Sequence, residues 1–477
     1  MAEKLKRRMC LFGILLIWCI HVQAWQAPRT EQIEHLLSAL YERGQFNGAI
    51  MVALQGNIIY RNAFGKADFE TNRTWTPETP SCLASVSKQF TAMAIMMLAE
   101  QNKLSFDDPV GKYISEFSLS PRTSQITLRQ LLTHTSGIPD YGDLGVDDSK
   151  LNQHSLVDAI VKRMSLLSKP GQRFRYSNPG YALLAIVVER ASSQGLSDFL
   201  ARRIFQPLGM DATYVYDSSR KRNPRAAVGY DQFGQRDDTT PTSVPGDGGI
   251  YSTVDDLLKW DHALYTDKLV KQSTLSIAFT PARVEEGSST YGFGWNVTGT
   301  GEEKYVWHTG NTAGFRSFIG RHLGPRVTVI MLTNRGNSKR IEINSAIMNI
   351  LAGKPYTLPT RSGAEKLYTT IHDSGIRTAL QTYQSLKNTG SADYDFGESE
   401  LNALGYQMLC GDKHVSDAIA IFELNTTEHP ASSNAFDSLG EAYRQAGDKG
   451  LAIKSYENAI KLDAKNLHAA AMLKELR

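Results

Sequence analysis

The stretch LASVSKQFTAMAIMMLAEQNKL, Leu83 to Leu104, sets two reactive side chains at the mouth of an apolar segment. From Phe90 to Leu98 almost every residue is apolar, which predicts a helix buried nearly all round. Ser85 and Lys88 stand at its start. Residues three apart share a helix face, so hydroxyl and amine can meet at the positive end of the helix dipole. That end favours a developing oxyanion. Together with burial it disfavours a protonated lysine, which leaves a neutral amine to act as general base. Spacing alone says little: Ser218-Ser219-Arg220-Lys221 has the same pattern, in a polar run with no apolar helix behind it.

Two further motifs follow in the chain. In GQRFRYSNPGYALLAIVVERA, Tyr176-Ser177-Asn178 lies just ahead of a second apolar run. Asn178 precedes Pro179, which disfavours helical geometry, so the triplet is expected on a loop. Its phenol suits proton transfer, and its amide can hold a substrate carbonyl or the lysine. Tyr-x-Asn also recurs at Tyr60 and Tyr456, and taken alone Tyr176 reads more simply as a packed aromatic. Further on, VWHTGNTAGF puts His308-Thr309-Gly310 at the end of an expected strand. His308 is open to four readings: metal ligand, catalytic base, substrate clamp or packed bystander. A metal shared with His134 would need ligands that the sequence does not nominate. His134, in LLTHTSGI, is expected to be a turn histidine bonded to local backbone.

Around these motifs the chain alternates in kind. A helical lead (Glu31 to Glu42) precedes NGAIMVALQGNIIYRNAFGKA, two β-rich runs about a Gly56-Asn57 turn. From about Ser85 to Val270 the pattern is mainly helical. YGFGWNV, KYVWHT, GFRSFIG and RVTVIMLTN then read as four strands, with the helix RIEINSAIMNILAG after them. Strands at both ends with helices between predict an α+β domain over residues 25–352: one antiparallel sheet flanked by helices and carrying an all-helical lobe. Residues 353–363 (GKPYTLPTRSG) read as a linker. Residues 364–477 are self-similar at a period near 35: Leu404-Gly405 matches Leu439-Gly440, and Phe422 matches Tyr456. Small residues such as Gly440 and Ala459 let paired helices approach closely. This all-α region resembles tetratricopeptide repeats.

The start of the 477-residue chain carries a leader pattern. A basic EKLKRR, an apolar Met9–Val22 and a small-residue site ending at Ala24 predict a secretory signal peptide over residues 1–24, cleaved before Trp25. Lys4, Lys6, Arg7 and Arg8 against Glu3 account for the whole +3 formal charge. The remainder is near neutral, which argues against nucleic acid or an anionic membrane as partner. Cys82 and Cys410 are the cysteines left after the leader, too few for a disulfide framework. No zinc spacing and no Gly-rich phosphate loop occurs, so neither metal nor cofactor is expected.

Taken jointly, Ser85-x-x-Lys88, Tyr176-x-Asn178 and His308-Thr309-Gly310 resemble the signature of the serine β-lactamase and penicillin-binding-protein superfamily. The flanking ITLRQLLTHTSGIPDY, FQPLGMDATYV and GDGGIYSTVDDLLKW look like its class C-like branch, over roughly residues 30–350. The resemblance implies a serine hydrolase. Ser85 would attack an acyl carbon, Lys88 would take its proton, and Tyr176 would pass a proton to the leaving group. Asn178, His308, Thr309, Gly310 and Asn311 would bind substrate, with the N–H groups of Ser85 and Asn311 forming the oxyanion hole. Gly310 would let substrate lie along an edge strand.

Where penicillin-binding relatives carry lysine this chain has His308, mostly neutral at pH 7 and expected to face the substrate. That weakens any carboxylate clamp unless Arg316 reaches in. D-amino-acid peptides (D-Ala-D-Ala carboxypeptidase-like) or esters are therefore expected substrates for an exported enzyme of the periplasm or cell exterior, with weak or no β-lactamase activity. The competing reading is a non-catalytic scaffold whose repeats recruit a protein partner.

Overall fold

A computed structural model describes residues 28–477 except 145–150, 164, 218, 220–222, 238–243, 313 and 391. The leader expected over residues 1–24, and most of the second Ser-x-x-Lys pattern, lie outside the described residues. Two compact units divide between Leu358 and Pro359, inside the stretch read as linker. No helix among the described residues is long and apolar enough to cross a membrane.

The first unit is built on a six-stranded antiparallel sheet. Its strands are β1 (Gly48–Leu54), β2 (Asn57–Phe64), β3 (Asn296–Thr298), β4 (Tyr305–Thr312), β5 (Phe315–His322) and β6 (Val327–Thr333). They lie in the order β2-β1-β6-β5-β4-β3, so the first strand pairs with the last and everything between β2 and β3 is insertion. The opening turn sits one residue earlier than read: Leu54 pairs with Asn57. Gln55 and Gly56 both take positive φ (52° and 80°), as a two-residue primed turn requires. The first of the four predicted late strands shortens to Asn296–Thr298, because glycines at 292 and 294 interrupt it.

Alternation along the central strands decides the layers. Ile50 and Val52 of β1, with Val329 and Met331 of β6, pack against α1 (residues 28–42) and α5 (Arg340–Leu351). The intervening Ala49, Met51, Ile330 and Leu332 face the other way, into the core of the helical lobe. That lobe centres on α2 (Lys88–Glu100) and α3 (Asn178–Ser192), with α4 (Val254–Ala263) beside them. α2 is buried from Lys88 to Leu98, as its apolar run predicts. A buried ion pair ties α4 to the sheet: Arg321 Nε of β5 donates to Asp261 at 2.5 Å, and Thr328 Oγ1 of β6 donates to the same carboxylate at 3.0 Å.

The second unit is helical. α6 (Gly363–Asn388) is broken at Gly375 (φ 83°), and α7 (Glu398–Tyr406), α8 (Val415–Glu428), α9 (Ser433–Gln445), α10 (Lys449–Leu462) and α11 (Leu467–Leu476) follow. The sequence offset has a physical counterpart. A Cβ on Gly405 would overlap the Phe422 ring, and one on Gly440 would overlap the ring of Tyr456. In both of these pairs, α7 with α8 and α9 with α10, a glycine seats the aromatic ring of the following helix.

Candidate active site

The turn that carries Ser85 is held from both sides. Ser81 and Cys82 form a short strand paired with Tyr251 and Ser252, after which Ala84 takes φ 44° and Ala84–Ser87 makes one 3₁₀ turn into α2. In a 3₁₀ turn residues i and i+3 eclipse, which sets Lys88 directly over Ser85. Lys88 is 0 % exposed, and its Nζ lies 3.0 Å from Ser85 Oγ, 2.7 Å from Asn178 Oδ1 and 2.7 Å from the Asp247 carbonyl oxygen. An amide oxygen and a backbone carbonyl can only accept. Two N–H bonds of the lysine are therefore directed at them, and the remaining valence of Nζ points at the serine hydroxyl.

The Tyr176–Asn178 segment reaches this centre from α3. Ser177 is the extended N-cap and Asn178 already the first helical residue, one position earlier than its place before proline suggests. Pro179 is tolerated there because first-turn N–H groups have no intrahelical partner. The Tyr176 ring centroid lies 5.0 Å from Lys88 Nζ.

Two side chains that the motifs did not nominate hold the segment in place. Asp140 accepts the backbone N–H of Asn178 at 3.1 Å and its side-chain N–H at 3.0 Å, which leaves the amide oxygen to face Lys88. His134 is not bonded to local backbone as expected. It is 1 % exposed, its Nδ1 accepts the Ser177 N–H at 3.1 Å, and its ring lies 4.1 Å from that of Tyr176. Burial, the nearby Lys88 and His308 hold it well below the usual histidine range. The signal in the sequence was HTSGIPDY, whose positive-φ His134 and carboxylate only acquire roles once α3 is packed against them.

The third motif brings the largest corrections. His308, expected to face substrate, is 2 % exposed: Nδ1 lies 2.6 Å from the Thr309 carbonyl and Nε2 2.8 Å from the Tyr291 hydroxyl. Since a carbonyl accepts only, Nδ1 carries the proton and Nε2 takes the tyrosine hydrogen. Both ring nitrogens are thereby engaged, which removes the metal reading as well. Desolvation first, then the charge of Lys88, pushes its pKa down to about 3. Gly310, paired with Ser317, lies against the nucleophile turn: a Cβ there would overlap the Leu83 carbonyl oxygen and Ser317 Oγ. Its lack of a side chain serves this packing; the substrate reading of Gly310 is not needed. Thr309 contributes its carbonyl to His308. β3 pairs with β4 only as far as Trp307, so the strand beyond it runs past the cleft as an edge. Arg316 Nη1 donates to the carbonyls of Thr312 (2.7 Å) and Phe315 (2.9 Å).

A cleft of about 160 Å³ opens over these groups, lined by Ser85, Tyr141, Asn178, Asp247, Asn311 and Thr312 among others. Asp247 contributes a carboxylate to the wall, 3.2 Å from the Tyr141 hydroxyl. A hydroxyl beside an amine that a third group orients is an arrangement that can carry nucleophilic chemistry.

The comparisons with known proteins agree with this chemistry. The sequence profile of the family described as Beta-lactamase matches residues 33–352. Penicillin-binding protein 4* of Bacillus subtilis (strain 168) is 32 % identical over 364 residues, which cover 71 % of this chain and 79 % of the relative. The octameric penicillin-binding protein homologue from Pyrococcus abyssi superposes with a TM-score of 0.60 at 28 % identity, covering 68 % of this chain and 77 % of that one. A penicillin-binding protein from Bacillus halodurans gives 0.59 at 26 % identity, over 66 % of this chain and 98 % of that one. Through the sheet, the nucleophile turn and the extent of these matches, the chain belongs to the β-lactamase and penicillin-binding-protein superfamily of serine hydrolases.

Proposed function

We propose that this chain is an exported serine hydrolase that forms an acyl-enzyme on Ser85 and acts on D-amino-acid peptides or esters, with weak or no β-lactamase activity. The observation that carries the reading is the 3.0 Å approach of Lys88 Nζ to Ser85 Oγ, with Nζ anchored on two further oxygens. As the Oγ–acyl bond forms and the bond from the acyl carbon to the departing group breaks, the serine proton passes to Lys88 and on through Tyr176 to the departing group. The N–H groups of Ser85 and Asn311 receive the negative charge that develops on the carbonyl oxygen. Water then cleaves the ester and restores the serine. Export rests on the leader over residues 1–24, and partner binding on the repeat-like second unit, read as tetratricopeptide-like with a protein ligand.

Substrate preference follows from charge. A side chain at position 308 that is buried and neutral at pH 7 offers little grip on a carboxylate. Esters and peptides whose carboxylate lies outside the cleft fit better than β-lactams. The penicillin-binding names of the relatives make β-lactam acylation the competing outcome. Purified protein and Ser85→Ala are to be treated with a fluorescent penicillin and a fluorophosphonate. Labelling of wild type by the fluorophosphonate alone is the expected result. Failure of both probes, or equal labelling of the variant, would sink the assignment.

A second expectation concerns position 308. His308→Lys would place an ammonium where burial and Lys88 already disfavour a cation. The melting temperature is expected to fall, with no gain in relative KM for carboxylate-bearing substrates. A selective KM improvement at unchanged stability would restore His308 to the cleft wall.

A further inference from the structure

Arg340, the first residue of α5, is 8 % exposed. Its Nη1 donates to the Gly310 carbonyl at 2.7 Å and more weakly to that of Ser317 at 3.4 Å. Its Nη2 donates to Asn311 Oδ1 at 2.8 Å, and its Nε is buried without a hydrogen-bond partner among the described residues. None of these acceptors is a carboxylate. Glu342 is the charge that favours the cation, while Arg316 opposes it, and burial with Arg316 pushes the Arg340 pKa down to about 9. A cation at a helix N-terminus is disfavoured by the helix dipole as well.

What the guanidinium touches explains its place. The Gly310 carbonyl and the Asn311 N–H are the two ends of one planar peptide group, and in a trans peptide they point in opposite directions. The carbonyl end is turned to Arg340, and Asn311 lies on the cleft wall with Ser85. A charged donor on the oxygen draws electron density through the peptide and strengthens its N–H as a donor, the polarisation that makes hydrogen-bond chains cooperative. We propose that Arg340 is a positioning residue that polarises the Gly310–Asn311 peptide, so that the Asn311 N–H binds a developing oxyanion more strongly. Its second bond fixes the Asn311 side chain at the mouth of the cleft. The inference rests on the serine-hydrolase reading.

The test uses the full chain, wild type against Arg340→Gln and Arg340→Lys, with a p-nitrophenyl ester and phenylboronic acid, which forms a tetrahedral anion on an active serine. Removal of one oxyanion donor costs about 10²–10³-fold in kcat, so weakening one without removing it is expected to cost about 10- to 100-fold. Arg340→Gln should lose that factor in kcat, leave KM nearly unchanged, and lose boronate affinity in parallel. Arg340→Lys, which keeps a charge beside the carbonyl, should recover part of both. A fall in kcat with boronate affinity intact, a loss confined to KM, or a lysine variant as deficient as the glutamine one would overturn the proposal. Should Arg340→Gln fail to fold, the lysine variant alone decides, by whether kcat and boronate affinity move together. Wild type that reacts with neither boronate nor fluorophosphonate would remove the serine-hydrolase reading itself, a different failure from any shown by the variants.

Discussion

Lys88→Met is expected to lower the rate of Ser85 acylation by about 10³-fold while leaving the affinity for unreacted substrate almost unchanged, as befits removal of a general base. The three contacts of Nζ, at 3.0, 2.7 and 2.7 Å, hold the amine where it can receive the serine proton. Methionine approximates the stem of lysine and keeps the core of α2 filled, but it has no group to receive the serine proton. It also leaves Asn178 Oδ1 and the Asp247 carbonyl without their donor, so some stability is expected to go with the activity. Stopped-flow acylation by a fluorophosphonate, with substrate-analogue binding measured separately, distinguishes the effects. If binding alone weakens and acylation of the bound complex proceeds at the wild-type rate, Lys88 is not the base.

Gly310→Ala carries the second large effect, and it separates two accounts of the same residue. If the glycine were needed only to let substrate lie along the strand, alanine would raise KM and leave the fold untouched. The structure predicts otherwise. The new methyl group would overlap the Leu83 carbonyl oxygen, two residues ahead of Ser85, and Ser317 Oγ, which donates to that same carbonyl at 2.6 Å. Backbone cannot swing aside as a side chain can. Overpacking of this kind costs about 1–3 kcal/mol, expected here as a lower melting temperature. Because the displaced atoms belong to the nucleophile turn, kcat should fall by about 10²-fold, the order expected when a reacting group moves by about 1 Å. An alanine variant with wild-type melting temperature and kcat, altered only in KM, would refute the packing account.

Much of the sheet and the helical lobe was legible because those segments have strong local periods. The run from Phe90 to Leu98 is buried as its composition demands. The alternation of β1 and β6 shows in a sheet covered on both faces. Errors fall where one residue decides a boundary. Gly56 closes the first hairpin from the second turn position, and Asn57 already opens β2. Asn178 begins a helix although proline follows it, since that rule is weakest in a first turn.

Within the site, the pair Ser85–Lys88 was legible for a related reason: three residues along one turn fix a distance without help from the rest of the fold. The residues that hold that pair were not. Asp140 is 38 residues from Asn178, His134 is 43 from Ser177, and Arg340 is 30 from Gly310. No local pattern links such partners. The direction of His308 was equally hidden, since the two faces of a strand differ only by what packs on them, and here Tyr291 does.

By itself, then, the sequence determined the pairing of a hydroxyl and an amine one turn apart at the mouth of a buried helix, Ser85 with Lys88. The tertiary structure alone decided which groups hold those two in place, which way His308 turns, and why position 310 has no side chain. The physical reason is range. Helical and strand periods act over a few residues and are written in order along the chain, whereas hydrogen bonds and close packing join whatever the fold brings within about 3–4 Å, at any separation in sequence.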